Sequence, residues 1–376
     1  MDISKVIQQY NKKNLTIGVI GSHSALDICA GAKKFGLKNL VVCEKGREKT
    51  YNFYYKAKLP DEGFGCVDEA LVLEKFKDIL REENQEILRQ KNVLFVPHRS
   101  FEVYLDFDYK AIEEDFAVPI FGNRFLLKIE ERGVSPNQYD LLYEAGIKTA
   151  KIFASPEDID RPAIVKVLEK ERGFERAFFL ASSPEEYRQK SDVLLKKGII
   201  SKTALAKSVI EEFILGVPVN LNYFYSPVFE RLEFLGSDTR RQTNLDGFLR
   251  LPSGMQKEAE KDSRLTLEEA GHIAVTMLES LLEQVYEIGE KFVEASKKFY
   301  PPGVIGPFAL QTCIIPGPPK KEFITFDVSP RVPGSPGIKW TPYSSYLFGK
   351  NLSVGERIGK EIREMNKNSH LSKIIT

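Results

Sequence analysis

Apolar residues in this chain fall into short runs of strand length, separated by longer stretches in which polar and apolar positions mix. Leu15-Thr16-Ile17-Gly18-Val19-Ile20 reads as a buried strand that breaks at Gly21-Ser22-His23-Ser24, and a helix is predicted from about Ala25 to Phe35. Leu40-Val41-Val42-Cys43 and Val93-Leu94-Phe95-Val96-Pro97 repeat the strand pattern, and the charged stretch Glu69 to Lys91 between them has helical character. Strands alternating with helices predict a parallel α/β sheet. Ligands on such sheets sit beyond the carboxyl ends of the strands, which is where Ser22, His23, Ser24, His98 and Ser100 fall.

The pattern changes after Val118-Pro119-Ile120-Phe121-Gly122-Asn123-Arg124. Tyr139 to Ala145 is helical and ends at Gly146, a common C-cap signal. Ala163 to Val167 and Ala177 to Ala181 read as an antiparallel pair joined by the charged segment Glu169 to Arg176. Ser183-Pro184-Glu185-Glu186 has the cap, proline and acidic first turn of a helix start. Val219 to Tyr225, Leu232 to Leu235 and Phe248 to Leu251 alternate as antiparallel strands do. A long helix is predicted from about Leu267 to Lys298, followed by strands at Phe308 to Ile314 and Phe323 to Val328. The expected division is 1–122, a parallel α/β domain; 123–218, a smaller unit; and 219–376, a C-terminal unit.

Composition narrows the function classes. With 376 residues, 42% hydrophobic and 28% charged, the chain has the make-up of a soluble globular protein of two or three domains. A net charge of +1 argues against binding nucleic acid through a broad basic field. Cys29, Cys43, Cys66 and Cys313 form no CxxC pair, which disfavours a zinc site or disulfide framework and suits a reducing cytoplasm. Residues 1–14 are polar and lack the apolar core of a signal peptide, and no apolar run reaches membrane-helix length.

The chemistry concentrates at Phe326-Asp327-Val328-Ser329-Pro330-Arg331. Residues two apart on a strand share a face, so Asp327 and Ser329 can present oxygens to one Mg²⁺, and Arg331 can pair a phosphoryl oxygen. Gln311 is mid-strand, opposite the expected position of Asp327; it either completes a metal's oxygen shell or satisfies a core hydrogen bond. Lys166 ends an apolar strand, where it either snorkels or holds a phosphate. Glu211-Glu212-Phe213-Ile214 reads either as a hinge offering its backbone to a purine or as an edge strand with solvated glutamates. Arg240, Arg241 and Asn244 lie in a polar loop that suits a sugar phosphate or is a solvated turn. His272 and His370 are expected on helix surfaces. There is no Gly-x-Ser-x-Gly elbow and no P-loop.

In this order the segments resemble the ATP-grasp superfamily, and within it the archaeal formate-dependent synthetases of purine biosynthesis. Those enzymes formylate 5-aminoimidazole-4-carboxamide ribonucleotide (AICAR) to its 5-formamido product (FAICAR). The resembling stretches include Gly21-Ser22-His23-Ser24-Ala25-Leu26, Val96-Pro97-His98-Arg99-Ser100-Phe101, Ile164-Val165-Lys166, Asn244-Leu245-Asp246-Gly247 and Ile305-Gly306-Pro307-Phe308-Ala309-Leu310-Gln311. The resemblance implies an ATP-grasp fold, α/β at the start and α+β towards the end, in a cytoplasmic homo-oligomer. It implies ATP with Mg²⁺, or Mn²⁺ in its place, and AICAR and formate as substrates. His23, Ser24, Ser100, Arg240 and Asn244 then contact AICAR. Lys166 and Glu211, Glu212, Phe213 and Ile214 hold ATP, Gln311 and Asp327 hold the metal, and Arg331 and Lys166 act on the transferred phosphoryl. Two departures stand out: Glu169 to Arg176 has three glutamates and a single glycine, and Asp327 stands where a glutamate is usual. The alternative they raise is a diverged paralogue that binds a purine nucleotide with altered or lost ligase chemistry.

Overall fold

The computed structural model describes residues 3–58, 65–167, 178–241, 243–262, 270–317 and 319–376. Three sheets organise it. The first contains β1 (Thr16–Ile20), β2 (Lys38–Glu44), β3 (Glu69–Leu73) and β4 (Val93–Phe95) in the order β3-β2-β1-β4, parallel throughout. All five residues of β1 are buried, as expected of a strand covered on both faces. The helix Ala25–Lys34 follows directly from the β1 turn. The stretch expected to be helical over 69–91 divides: its first residues form β3, and only Glu82–Gln90 is α-helix. The open edge of β2 supplies the backbone partners that draw Glu69–Leu73 into the sheet.

The second sheet contains β5 (Ile152–Phe153), β6 (Ala163–Lys166), β7 (Phe178–Ala181) and β8 (Val209–Glu212), ordered β5-β8-β6-β7 and antiparallel. The expected β6–β7 pair is present. β8 is an interior strand and not an edge, and Glu211 is 2% exposed, so the solvated-edge reading of this segment does not hold. The connection 169–176, with its three glutamates, lies outside the described residues.

The third sheet contains β9 (Val217–Ser226), β10 (Arg231–Arg241), β11 (Gly271–Val275), β12 (Gly306–Ile315) and β13 (Glu322–Ser329), ordered β11-β10-β9-β12-β13, all antiparallel. Two expectations change here. The helix predicted from Leu267 begins only at Leu282 and runs to Phe299; Gly271–Val275 instead pairs with the end of β10. Gly271 has φ +141, a backbone that other residues rarely adopt, and Ile273 and Val275 are β-branched, so strand wins where β10 offers an edge. Phe248 to Leu251, expected as a strand, follows a short helix, Leu245–Phe248, into a turn.

The end of the chain returns to the first sheet. The helix Val354–Lys367 crosses Ala25–Lys34 with glycines at the contact, where a Cβ on Gly31 would lie 2.0 Å from the Gly355 carbonyl oxygen. Thr376 and Ile120 exchange two backbone hydrogen bonds of 2.9 Å. Among the described residues no helix is long and apolar enough to cross a membrane.

Candidate active site

A cavity of about 450 Å³ opens where the loop after β1 meets the faces of β9, β10, β12 and β13. Four arginines line it, Arg99, Arg132, Arg240 and Arg331, against two carboxylates, Glu130 and Asp327. That excess of positive charge favours a phosphate-bearing ligand.

Asp327 and Gln311 are register partners, and Gln311 Nε2 donates to Asp327 Oδ2 at 3.0 Å. The register slips by one residue just beyond them, leaving Phe326 as the extra residue of a bulge. Lys166 Nζ donates to the bulged Phe326 carbonyl at 3.4 Å and to Glu211 Oε1 at 2.8 Å. Arg132 Nη2 lies 3.5 Å from Asp327 Oδ1. Burial pushes the Asp327 carboxyl up, but Arg132, Lys166 and Arg240 outweigh it and hold the group below the usual carboxylate range. Among the described residues no three His, Cys, Asp or Glu side chains cluster as a metal cage. One carboxylate and one amide on a shared face suit Mg²⁺ when substrate phosphates and water complete its shell.

Arg331 is held from behind. Its Nη2 donates to both oxygens of Glu130 at 2.8 and 2.9 Å, and its Nε donates to Glu102 Oε1 at 3.3 Å. Arg99 Nη1 donates to Glu130 Oε2 at 2.5 Å. Burial and the neighbouring Glu130 raise the pKa of the fully buried Glu102 despite the two arginines. Holding Nη2 on Glu130 and Nε on Glu102 fixes the plane of the guanidinium, so its remaining edge meets a ligand in one orientation.

His23 and His98 stack with ring centroids 5.2 Å apart, and their neighbours fix opposite tautomers. Ser24 Oγ donates its one hydrogen to the Pro333 carbonyl at 2.9 Å, so at 3.0 Å it accepts from His23 Nδ1–H. The Ser100 backbone N–H donates to His98 Nδ1 at 3.2 Å, which leaves the hydrogen on His98 Nε2 for the Ile20 carbonyl at 2.9 Å. His98 is therefore a structural tie between two strand ends. His23, at φ +48, turns into the cavity, where a Cβ on Gly334 would lie 2.9 Å from its Nε2.

His272 is not a surface residue on a helix. It lines the cavity from β11, with Nδ1 2.6 Å from Asp238 Oδ2. Asp238 is fully buried and also accepts from Asn220 at 2.8 Å, Asn222 at 2.7 Å and Ser335 at 2.8 Å. Sequence reasoning missed this group, along with Arg132 and Glu130. An aspartate near the end of a polar strand and a histidine 34 residues later show no common period; only the β10–β11 pairing joins them.

The structure thus brings His23, Arg240, Gln311, Asp327, Ser329 and Arg331 to one cavity. Ser24 lies directly beneath it. Ser100 is buried in the helix Arg99–Tyr104 and does not line the cavity, and neither does the exposed Asn244. In the hinge segment, the N–H groups of Glu212 and Phe213 donate to the Lys151 and Pro162 carbonyls at 2.8 Å each.

Two models of domains of unknown function match the chain, DUF1246 over residues 17–153 and DUF1297 over 186–376. Across all of this chain and 99% of its own, the 5-formaminoimidazole-4-carboxamide-1-(beta)-D-ribofuranosyl 5'-monophosphate synthetase of Methanopyrus kandleri is 41% identical. The crystal structure of the IMP biosynthesis protein PurP from Thermococcus kodakaraensis superposes with a TM-score of 0.70 at 30% identity, over 96% of this chain and 100% of that one. An ADP complex of N5-carboxyaminoimidazole ribonucleotide synthetase shares the fold alone, with a TM-score of 0.55 at 12% identity over 90% of this chain and 78% of that one. With an ATP-grasp architecture and a relative this similar from end to end, the chain belongs to the 5-formaminoimidazole-4-carboxamide ribonucleotide synthetase family.

Proposed function

We propose that this protein is an ATP-dependent carbon–nitrogen ligase that formylates AICAR with formate, giving FAICAR, ADP and phosphate. The observation that carries the reading is the 41% identity to a named synthetase along the whole of both chains. A formate oxygen attacks the γ-phosphorus of ATP and ADP departs, leaving formyl phosphate. The 5-amino nitrogen of AICAR then attacks the formyl carbon, and the bond to the phosphate oxygen breaks. Catalysis of both steps is chiefly positioning and charge neutralisation.

In this reading AICAR lies against residues 1–122 in the cavity lined by His23 and Arg240, with Ser24 holding His23 from behind; Ser100 and Asn244, which do not line that cavity, are left out of the contact set. ATP lies between 123–218 and 219–376, with its purine near Glu211 to Ile214. Lys166 and Arg331 offset charge on the transferred phosphoryl, and the acidic partners of each keep its cation aimed. Mg²⁺, held by Gln311 and Asp327 together with the nucleotide's phosphates, would supply further charge neutralisation. The reading includes a cytoplasmic, homo-oligomeric enzyme.

The test is ADP release from ATP and Mg²⁺ with formate and AICAR, each omitted in turn, with the product mass measured. Release that needs both, and a product heavier by a formyl group, is expected. If AICAR stabilises the fold but no ADP forms, the protein is a nucleotide-binding paralogue and the proposal fails.

A further inference from the structure

Two histidines bring their Nε2 atoms to the same glycine: a Cβ on Gly334 would lie 2.9 Å from that of His23 and 3.4 Å from that of His272. Their surroundings oppose each other. Burial, then His98, Arg331, His272 and Arg240, lower the pKa of His23, so it stays neutral and is a poor proton acceptor. His272 has a carboxylate at its back. Burial pushes Asp238 up, but the hydrogen bonds from His272, Asn222 and Asn220 hold it below the usual range. It therefore remains an anion that fixes His272 as the Nδ1–H tautomer and favours an imidazolium when one forms. Paired groups whose environments push their proton affinities apart mark out an acid–base assignment.

We propose that His272, oriented by Asp238, is the general base that takes the proton from the attacking amine in the acyl-transfer step. The inference rests on the ligase reading above. As the carbon–nitrogen bond forms, one proton of the 5-amino group passes to His272 Nε2. The bond between the formyl carbon and the phosphate oxygen breaks, phosphate leaves with the electron pair, and the imidazolium returns its proton to the departing phosphate. An aromatic amine is a weak nucleophile and its N-protonated adduct readily reverts, so removing that proton commits the adduct to product. Asp238 is a positioning residue in this scheme, and Ser335, Asn220 and Asn222 hold it in place.

Among the described residues, the charged and titratable groups around His272 include Asp238 and Arg240 on β10, His23 across Gly334, and Arg331 beyond His23. On the turn packed against β11, Lys339 is directed to Glu356 at 2.7 Å. A general base must be unprotonated to act, so the wild-type kcat is expected to rise with pH and then level off.

The test is the full-length His272→Gln enzyme, assayed for FAICAR formation across pH, with thermal melting and the AICAR-induced melting shift as controls for folding and binding. A fall in kcat of about 100-fold or more is expected, with KM for AICAR within about threefold and the acidic limb absent. Asp238→Asn, wherever it melts as the wild type does, should move that limb to lower pH. If His272→Gln keeps the wild-type kcat and limb, or loses AICAR binding while kcat persists, the inference is overturned and the ligase reading survives. A wild type that makes no FAICAR overturns both.

Discussion

Of the two carboxylates at the cavity, Asp327 sits among Arg132, Lys166 and Arg240, and its partner Gln311 is a neutral amide. Asp327→Asn keeps the shape and removes the charge. Turnover should fall by about 100-fold or more, the scale on which lost electrostatic groups act, while AICAR raises the melting temperature as in the wild type. Loss of the AICAR shift with turnover intact would refute the division between metal site and nucleotide site. Asp327, Ser329 and Gln311 were legible in the sequence because a period of two and an adjacent pair of strands suffice to bring them together. Asp238 and His272 were not. Their contact depends on an edge pairing that no local pattern specifies, and the apolar residues around His272 fit a helix as well as a strand. His98 lies at the strand end where the sequence put it, but two backbone groups from different segments occupy its nitrogens, and a sequence shows neither.

Among elements, the crossing of Ala25–Lys34 by Val354–Lys367 has the least room. A Cβ on Gly31 would meet Gly355 backbone at 2.0 Å, one on Gly355 would meet the Asp27 carbonyl oxygen at 2.1 Å, and one on Gly359 would meet the Gly31 carbonyl oxygen at 2.6 Å. These contacts are with backbone, so no side chain can swing aside. Gly31→Ala should destabilise the fold by about 3 kcal/mol, at the upper end of ordinary overpacking, even though alanine favours an isolated helix. Chemical denaturation measures it; a variant as stable as the wild type would mean the helices can part without cost. The strand–turn–helix at residues 15–35 was evident from its own residues, as was the β6–β7 pair. The partner of that first helix lies more than 300 residues away, as the 328-residue separation of the hydrogen bond from Gly355 N to Asp27 shows, and local periodicity carries no such information. The segment at 271–275 has β-branched residues that suit a strand, but it took the edge of β10 to decide it.

For the molecule as a whole, the junction of the first and third sheets contains ionisable groups that are out of water, and this sets how stability varies with pH. His98 is fully buried and its pKa is lowered to about 4 from 6.5, by burial first and by Arg331, with the Ile20 carbonyl opposing. Below pH 6.5 the unfolded chain binds a proton there that the native state refuses, so stability is complete above that value and is lost as pH falls towards 4. At pH 5 the loss from His98 is on the order of 2 kcal/mol. His23 acts in the same direction. Glu102 opposes them: its folded pKa is raised, so its contribution is fullest below its ordinary value of 4.5 and is lost as pH rises. The wild-type profile between pH 7 and 5 is therefore a difference of opposing terms, and single variants separate them. His98→Gln removes one acid-labile term, so the stability it loses between pH 7 and pH 5, measured by urea denaturation, should be smaller than the wild type's by about 2 kcal/mol, whatever its stability at pH 7. Glu102→Gln removes the counterweight, so its loss over the same interval should be larger. Parallel pH profiles for the wild type and both variants would show that these buried groups titrate alike in the folded and unfolded chains, which their burial at the sheet junction forbids.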